Sequence, residues 1–152
     1  MASSLPYYIY ALQLEVHKTG PIQSWAQLEK PKPEGGKWKF GVLSGSGAEE
    51  YIKAFMDKGG AVEYATYDGV TDMMREVETG KLDATLQDTP IANYYAKDFP
   101  QLRFVGEPVA SGYYVAYARK DDPALVTAFN AAMRKMFHDG RLERIYRKYG
   151  MW

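Results

Sequence analysis

From Gly36 onward the sequence switches repeatedly between apolar runs of strand length and amphipathic runs of roughly ten residues, with glycines at the joints. The strand-like run WKFGVL (38–43) is followed by a helical pattern over Ala48 to Lys58, with Tyr51, Ile52, Phe55 and Met56 on one face. Gly59-Gly60 ends that helix. The strand AVEYA and the turn TYDG lead to a helix over Val70 to Thr79 that presents Val70, Met73, Met74 and Val77 and stops at Gly80. The strand LDATLQ then opens a short helix at Asp88-Thr89-Pro90, with Ile91, Tyr94 and Tyr95 as its apolar positions, and LRFV closes the series. Strand–helix alternation of this kind predicts βαβ units. The expected class is therefore α/β, a mostly parallel sheet with helices on both faces.

The flanking segments follow other patterns. Tyr7 to Val16 reads as one long strand rich in tyrosine and aliphatics. Lys18 to Gly36 reads as a polar connection in which SWAQLEK predicts one or two helical turns. Gly112 to Arg119, GYYVAYAR, is a second long aromatic strand and a natural antiparallel mate for YYIYALQLEV. Beyond it Asp122-Pro123 caps a helix with the stripe Leu125, Phe129, Ala132, Met133, Met136 and Phe137. Gly140 ends it, and RLERIYRKYG makes a last helix with Leu142, Ile145 and Tyr146 inward. The chain contains no internal repeat and no low-complexity tract.

Composition removes several classes of function. Lys+Arg and Asp+Glu both number 19, so the chain lacks the basic excess of a general nucleic-acid binder. No apolar run reaches the length that spans a bilayer, and MASSLPYY has neither the basic nor the apolar region of a signal peptide. With no cysteine there is no disulfide, thiolate metal site or cysteine nucleophile. His17 and His138 stand alone, without metal-ligand spacing, and no cofactor is expected. Thirteen tyrosines suit a binding cleft or a large interface, and suit the edges of an ordinary core equally well.

Two strand ends carry the chemistry. In KFGVLSGSGAEEYI a tight Gly-Ser turn runs into a helix, whose first N–H groups and partial positive charge make a seat for a carboxylate or phosphate. Gly45, Ser46 and Gly47 form the turn; Ser46 reads equally as a simple N-cap, and Glu49-Glu50 as dipole partners at the helix start. The second strand end carries Asp88, a carboxylate fit to accept hydrogen bonds from a cation, or to cap the helix near Pro90. The expectation is that both ends face one small zwitterion.

SLPYY, GVLSGSGAEEYI, GKLDATLQD, GYYVAYARKDDPAL and FHDGRLERIYRKYGMW fall in an order and spacing that covers nearly the whole chain. Together they resemble the second lobe of a type II extracellular solute-binding protein of bacterial family 3, the polar amino-acid receptors of ATP-driven importers. The resemblance implies residues 1–16 as N-terminal segment and hinge strand, and 17–112 as the ligand-binding lobe. It implies 113–120 as the return hinge strand, and 121–152 as helices that in the family pack on a first lobe. It also implies that Gly45, Ser46 and Gly47 bind the ligand's α-carboxylate, that Asp88 binds its α-ammonium, and that Leu43, Ser44 and Ala48 line the side-chain pocket. Many relatives have threonine where this chain has Gly47, which keeps the amide and removes a hydroxyl.

The resemblance further implies a periplasmic or extracellular protein that binds an amino acid without converting it and meets a membrane permease. Most of the first lobe, with the arginine that clamps the ligand carboxylate, has no counterpart here, so the expectation is half a binding site. The apolar stripe of residues 125–137 then needs another cover: its own lobe, a separately supplied partner or a second copy, with a homodimer or exchanged arrangement expected. Two other readings stand beside this one: a cyclic-acid dehydratase of the same superfamily, in which Asp88 is the candidate acid or base, and an engineered or structural fragment without a tight ligand.

Overall fold

The computed structural model describes residues 1–151. In chain order the elements are β1 (Ala2–Ser3), β2 (Tyr8–His17), a 3-10 turn (Trp25–Glu29), β3 (Trp38–Leu43), α1 (Gly47–Asp57), β4 (Val62–Tyr67), α2 (Val70–Glu78) and β5 (Ala84–Asp88). There follow α3 (Thr89–Tyr95), β6 (Leu102–Tyr114), β7 (Tyr117–Ala118), α4 (Pro123–His138) and α5 (Arg141–Lys148). The chain divides into two compact units, residues 11–110 and residues 1–10 with 111–152, and β2 and β6 run through both.

The larger unit is built on the sheet β4-β3-β5-β2-β6. β3 is parallel to both β4 and β5, with Gly41 opposite Ala65 on one side and Thr85 on the other. β2 joins β5 antiparallel, Leu14 opposite Leu86. The class expected from the alternating pattern is therefore the one found, a mixed sheet with a parallel core and antiparallel long strands.

Period-two alternation sorts the sheet residues between two covering layers. Phe40, Val42, Ala84, Leu86, Leu14 and Val16 are buried and share one face by register. Trp25 of the 3-10 turn stacks on Phe40 at 6.5 Å between centroids and meets Tyr51 and Phe55 of α1 edge-on at 5.5 and 5.7 Å. The opposite face lies under α2: Met73, Met74 and Val77 pack with Leu82, Phe99 and Leu102, and Tyr67, Val70 and Tyr95 close the edge. Gly41 belongs to this second face. A Cβ there would stand 2.6 Å from Met73 Cγ and 2.7 Å from Leu82 Cδ1, so glycine is what lets α2 lie so close to β3.

Several details depart from the sequence reading. The 18–36 connection is not merely polar, since Ile22 and Leu28 are fully buried. LRFV and the start of GYYVAYAR are one strand, β6. Between the bonds Tyr7 N–H to Tyr114 C=O and Lys18 N–H to Gln101 C=O, β6 spends two more residues than β2 (101 to 114 against 7 to 18). Gly106 and Ala110, at φ 66° and 49°, are where β6 takes the left-handed conformation that bulges need. In α3 it is Ala92 that is buried while Tyr94 faces outward.

The smaller unit is held by tyrosines. Tyr10 stacks on Tyr114 at 5.1 Å, Tyr8 meets Tyr146 at 4.8 Å, and Tyr7 meets Phe129 edge-on at 6.2 Å. The Tyr146 hydroxyl donates to the Tyr7 carbonyl and the Tyr8 hydroxyl to the Met151 carbonyl. β1 pairs with β7 in a two-stranded ribbon. α4 starts where sequence predicts, with Asp122 Oδ1 accepting from the Leu125 N–H at 3.1 Å. Yet none of its residues is buried, and Leu125 and Phe137 are 55% and 67% exposed. α5 buries Leu142 and Tyr146, but Ile145, expected inward, is exposed.

Candidate functional site

β3, β4 and β5 are parallel neighbours, so their carboxyl ends lie on one edge of the sheet, and α1, α2 and α3 all begin there. β3 and β5 pair at Phe40–Ala84 and Gly41–Thr85, so the turn from Ser44 and the residue Asp88 follow at the same end of two neighbouring strands. The two strand ends singled out in the sequence are thus neighbours on one edge rather than at opposite ends of the sheet.

The first tip is a closed hydrogen-bonded turn. Ser44 N–H donates to the Tyr67 carbonyl at 2.9 Å, tying the turn to the end of β4. Gly45 takes φ +68°, a conformation that suits glycine and turns the chain into α1. Ser46 is the N-cap: its Oγ accepts from the Glu49 N–H at 3.3 Å and donates to the Leu43 carbonyl at 2.7 Å. The Glu49 side chain folds back so that Oε2 accepts the Gly45 N–H at 2.7 Å. Its other oxygen lies 2.6 Å from Lys53 Nζ. The Lys53 ammonium first, and the Gly45 N–H second, hold the Glu49 carboxyl below the usual carboxylate range.

Two donors expected to meet a ligand, Gly45 N–H and Ser46 Oγ–H, are therefore engaged within the turn. The amides at the first two helical positions, Gly47 and Ala48, have no intrahelical acceptor and point out of the helix start. Gly47, Ser44 and Gly45 are exposed, Leu43 and Ser46 half-buried, and Ala48 buried.

The second tip is half-buried Asp88, the last residue of β5 and the N-cap position of α3. Its side chain makes no capping bond to α3, which disposes of the capping role the sequence left open. The next residue, Thr89, accepts the Ala11 N–H on Oγ1 at 3.3 Å. Beside this edge Tyr67, at the end of β4, donates its hydroxyl to Glu76 Oε2 at 2.5 Å. Partial burial, reinforced by that carboxylate, pushes the Tyr67 phenol up to about 12. Four concavities of 120 to 290 Å³ are lined by residues other than those of the two tips.

Sequence reading assigned Glu49 only to the helix dipole; the S-x-x-E spacing from Ser46 to Glu49 is the capping-box signal that marks it. It also passed over Glu15, which is 1% exposed near the end of β2. Burial pushes this carboxyl up to about 7, partly offset by the Gln87 amide that donates to it at 2.6 Å. Among the described residues no group of three or more His, Cys, Asp or Glu is placed to hold a metal ion.

This edge chemistry on a mixed α/β sheet is that of a small-molecule binding fold. The model of the bacterial extracellular solute-binding proteins, family 3, matches residues 1–151, and the chain belongs to that family. The lysine/arginine/ornithine-binding periplasmic protein of Escherichia coli (strain K12) is 34% identical over 162 residues, covering 98% of this chain and 58% of that protein. An ancestral arginine-binding protein bound to glutamine superposes with TM-score 0.83 at 27% identity, covering 99% of this chain and 64% of that one. An ancestral amino acid-binding protein, a precursor of cyclohexadienyl dehydratase, has TM-score 0.82 at 28% identity over 97% of this chain and 60% of the other. The chain thus spans less than two thirds of the length of these proteins.

Proposed function

We propose that this chain binds a free amino acid as one face of an importer's solute-binding protein and releases it unchanged. The ligand carboxylate sits at the Ser46–Ala48 helix start, and its ammonium is received by Asp88. Leu43, Ser44 and Ala48 lie against the side chain, with Gly45 and Gly47 shaping the turn. The observation that carries this reading is the adjacency of the two tips on one edge, an amide-lined helix start beside a carboxylate. Family membership supports it, as do the amino-acid ligands in the names of its relatives.

Binding without conversion is favoured over catalysis because the carboxyl with a neutral-range pKa, Glu15, is buried in the sheet away from both tips. The working location is the periplasmic or extracellular face of the membrane, where the family operates. The other wall of the cleft comes from polypeptide outside this half, and the bare face of α4 is where a second protein surface packs, a first lobe or a second copy of this chain. A thermal-shift and calorimetry screen of this chain over the common amino acids tests the reading. With one wall, affinity near millimolar is expected, about 4 kcal/mol. Absence of any response to amino acids at tens of millimolar overturns it.

A further inference from the structure

The Glu49 carboxylate sits at the start of the proposed anion seat, where a negative charge should repel a second one. Its two oxygens show why it is tolerated. Oε1 is neutralised by Lys53 at 2.6 Å, and Oε2 is spent on the Gly45 N–H at 2.7 Å. The Glu49 backbone N–H meanwhile bonds Ser46 Oγ at 3.3 Å, so a single residue grips the turn at two successive positions. Gly45 has a left-handed φ of +68°, and nothing lies within 4 Å of the place where a Cβ would be. The bond from the Gly45 N–H to Glu49 is a contact that holds the turn in that conformation.

Resting on the amino-acid-binding reading, we propose that Glu49 is a positioning residue for the ligand carboxylate. By clamping the Gly45 amide it keeps the Gly47 and Ala48 N–H groups aimed at one point. Lys53 cancels the charge that would otherwise weaken an anion there. A glutamine at this position keeps the acceptor oxygen and so keeps the clamp; an alanine loses it.

The test uses the full chain labelled with 15N, and the probes are L-arginine and agmatine, which differ by the carboxylate. In the unmodified chain arginine is expected to shift the Gly47 and Ala48 amides, and agmatine to leave them unmoved. Glu49→Ala is expected to speed hydrogen exchange at Gly45 and weaken arginine about threefold to tenfold while leaving agmatine affinity unchanged. Glu49→Gln is expected to behave like the unmodified chain in both respects. Equal Gly45 exchange in the alanine variant, or equal loss of arginine and agmatine, overturns the positioning role alone. If the unmodified chain shows no arginine-dependent shift at Gly47 or Ala48, the binding reading fails and the inference falls with it.

Discussion

Glu15 and Gln87 meet across the β2–β5 pair, with the Gln87 amide nitrogen 2.6 Å from the Glu15 carboxylate and both side chains buried. Burial outweighs the opposing Gln87 hydrogen bond, so the Glu15 carboxyl titrates at about 7 in place of the ordinary 4.5. The folded state therefore holds more protons than the unfolded state between pH 4.5 and 7, and stability falls as pH rises through that window. The expected loss from this group is roughly 3 kcal/mol, complete above pH 7. Urea unfolding at pH 5 and pH 8 measures it. Glu15→Gln should flatten the difference and leave the protein more stable than the parent at pH 8; an unchanged slope would show that Glu15 is already ionised in the fold.

Gly41 tests the packing of α2 on the sheet. Gly41→Ala puts a methyl 2.6 Å from Met73 Cγ, and the expected destabilisation is about 1–3 kcal/mol. Gly41→Val should cost more. Thermal unfolding reads both, and a neutral alanine would mean that α2 can lift off β3 freely.

Asp88 tests the proposed ammonium seat. Asp88→Asn removes the charge that receives an ammonium in the proposed reading, so amino-acid affinity should fall about tenfold or more. Ser46→Ala should show in stability as well. Losing the bond from the Glu49 N–H costs about 1 kcal/mol of stability in addition to any effect on the ligand. Calorimetry and melting curves on the two variants distinguish the roles.

The bare face of α4 predicts association. Phe137 and Leu125 are 67% and 55% exposed beside a groove of about 200 Å³ lined by Leu5, Tyr7, Met133 and Phe137 among others. Sedimentation of the isolated chain should show self-association that grows with concentration, and Phe137→Glu should shift it toward monomer. A monomer at every concentration would mean that this face does not recruit a second copy.

Much of the architecture was legible because the sequence's periods are clean. WKFGVL between polar Lys37 and the Ser-Gly turn reads as a strand and is one, and the Met73, Met74, Val77 spacing reads as a helix packed on one side and is one. Misreadings fell where neighbours outvote period. Tyr94 and Ile145 hold apolar positions in their helices and still face outward, while Ala92 and Tyr146 take the buried places. The break expected between LRFV and GYYVAYAR is absent because Gly106 and Ala110 let one strand absorb extra residues against β2. Glu15 was passed over because a charged residue in a strand ordinarily marks its wet face, and only the folded structure makes that face dry.

By itself the sequence determined the elements, since hydrophobic period, glycine stops and the Ser46 and Asp122 caps act within a few residues of where they are written. It also determined that an amide-rich turn and a carboxylate would each end a strand. Tertiary structure alone decided that those two strands are parallel neighbours, and so that both tips lie on one edge of the sheet. It decided too that Glu49 turns inward onto Gly45. Strand order and side-chain direction depend on which distant surfaces share a core, and that information is spread over the whole chain.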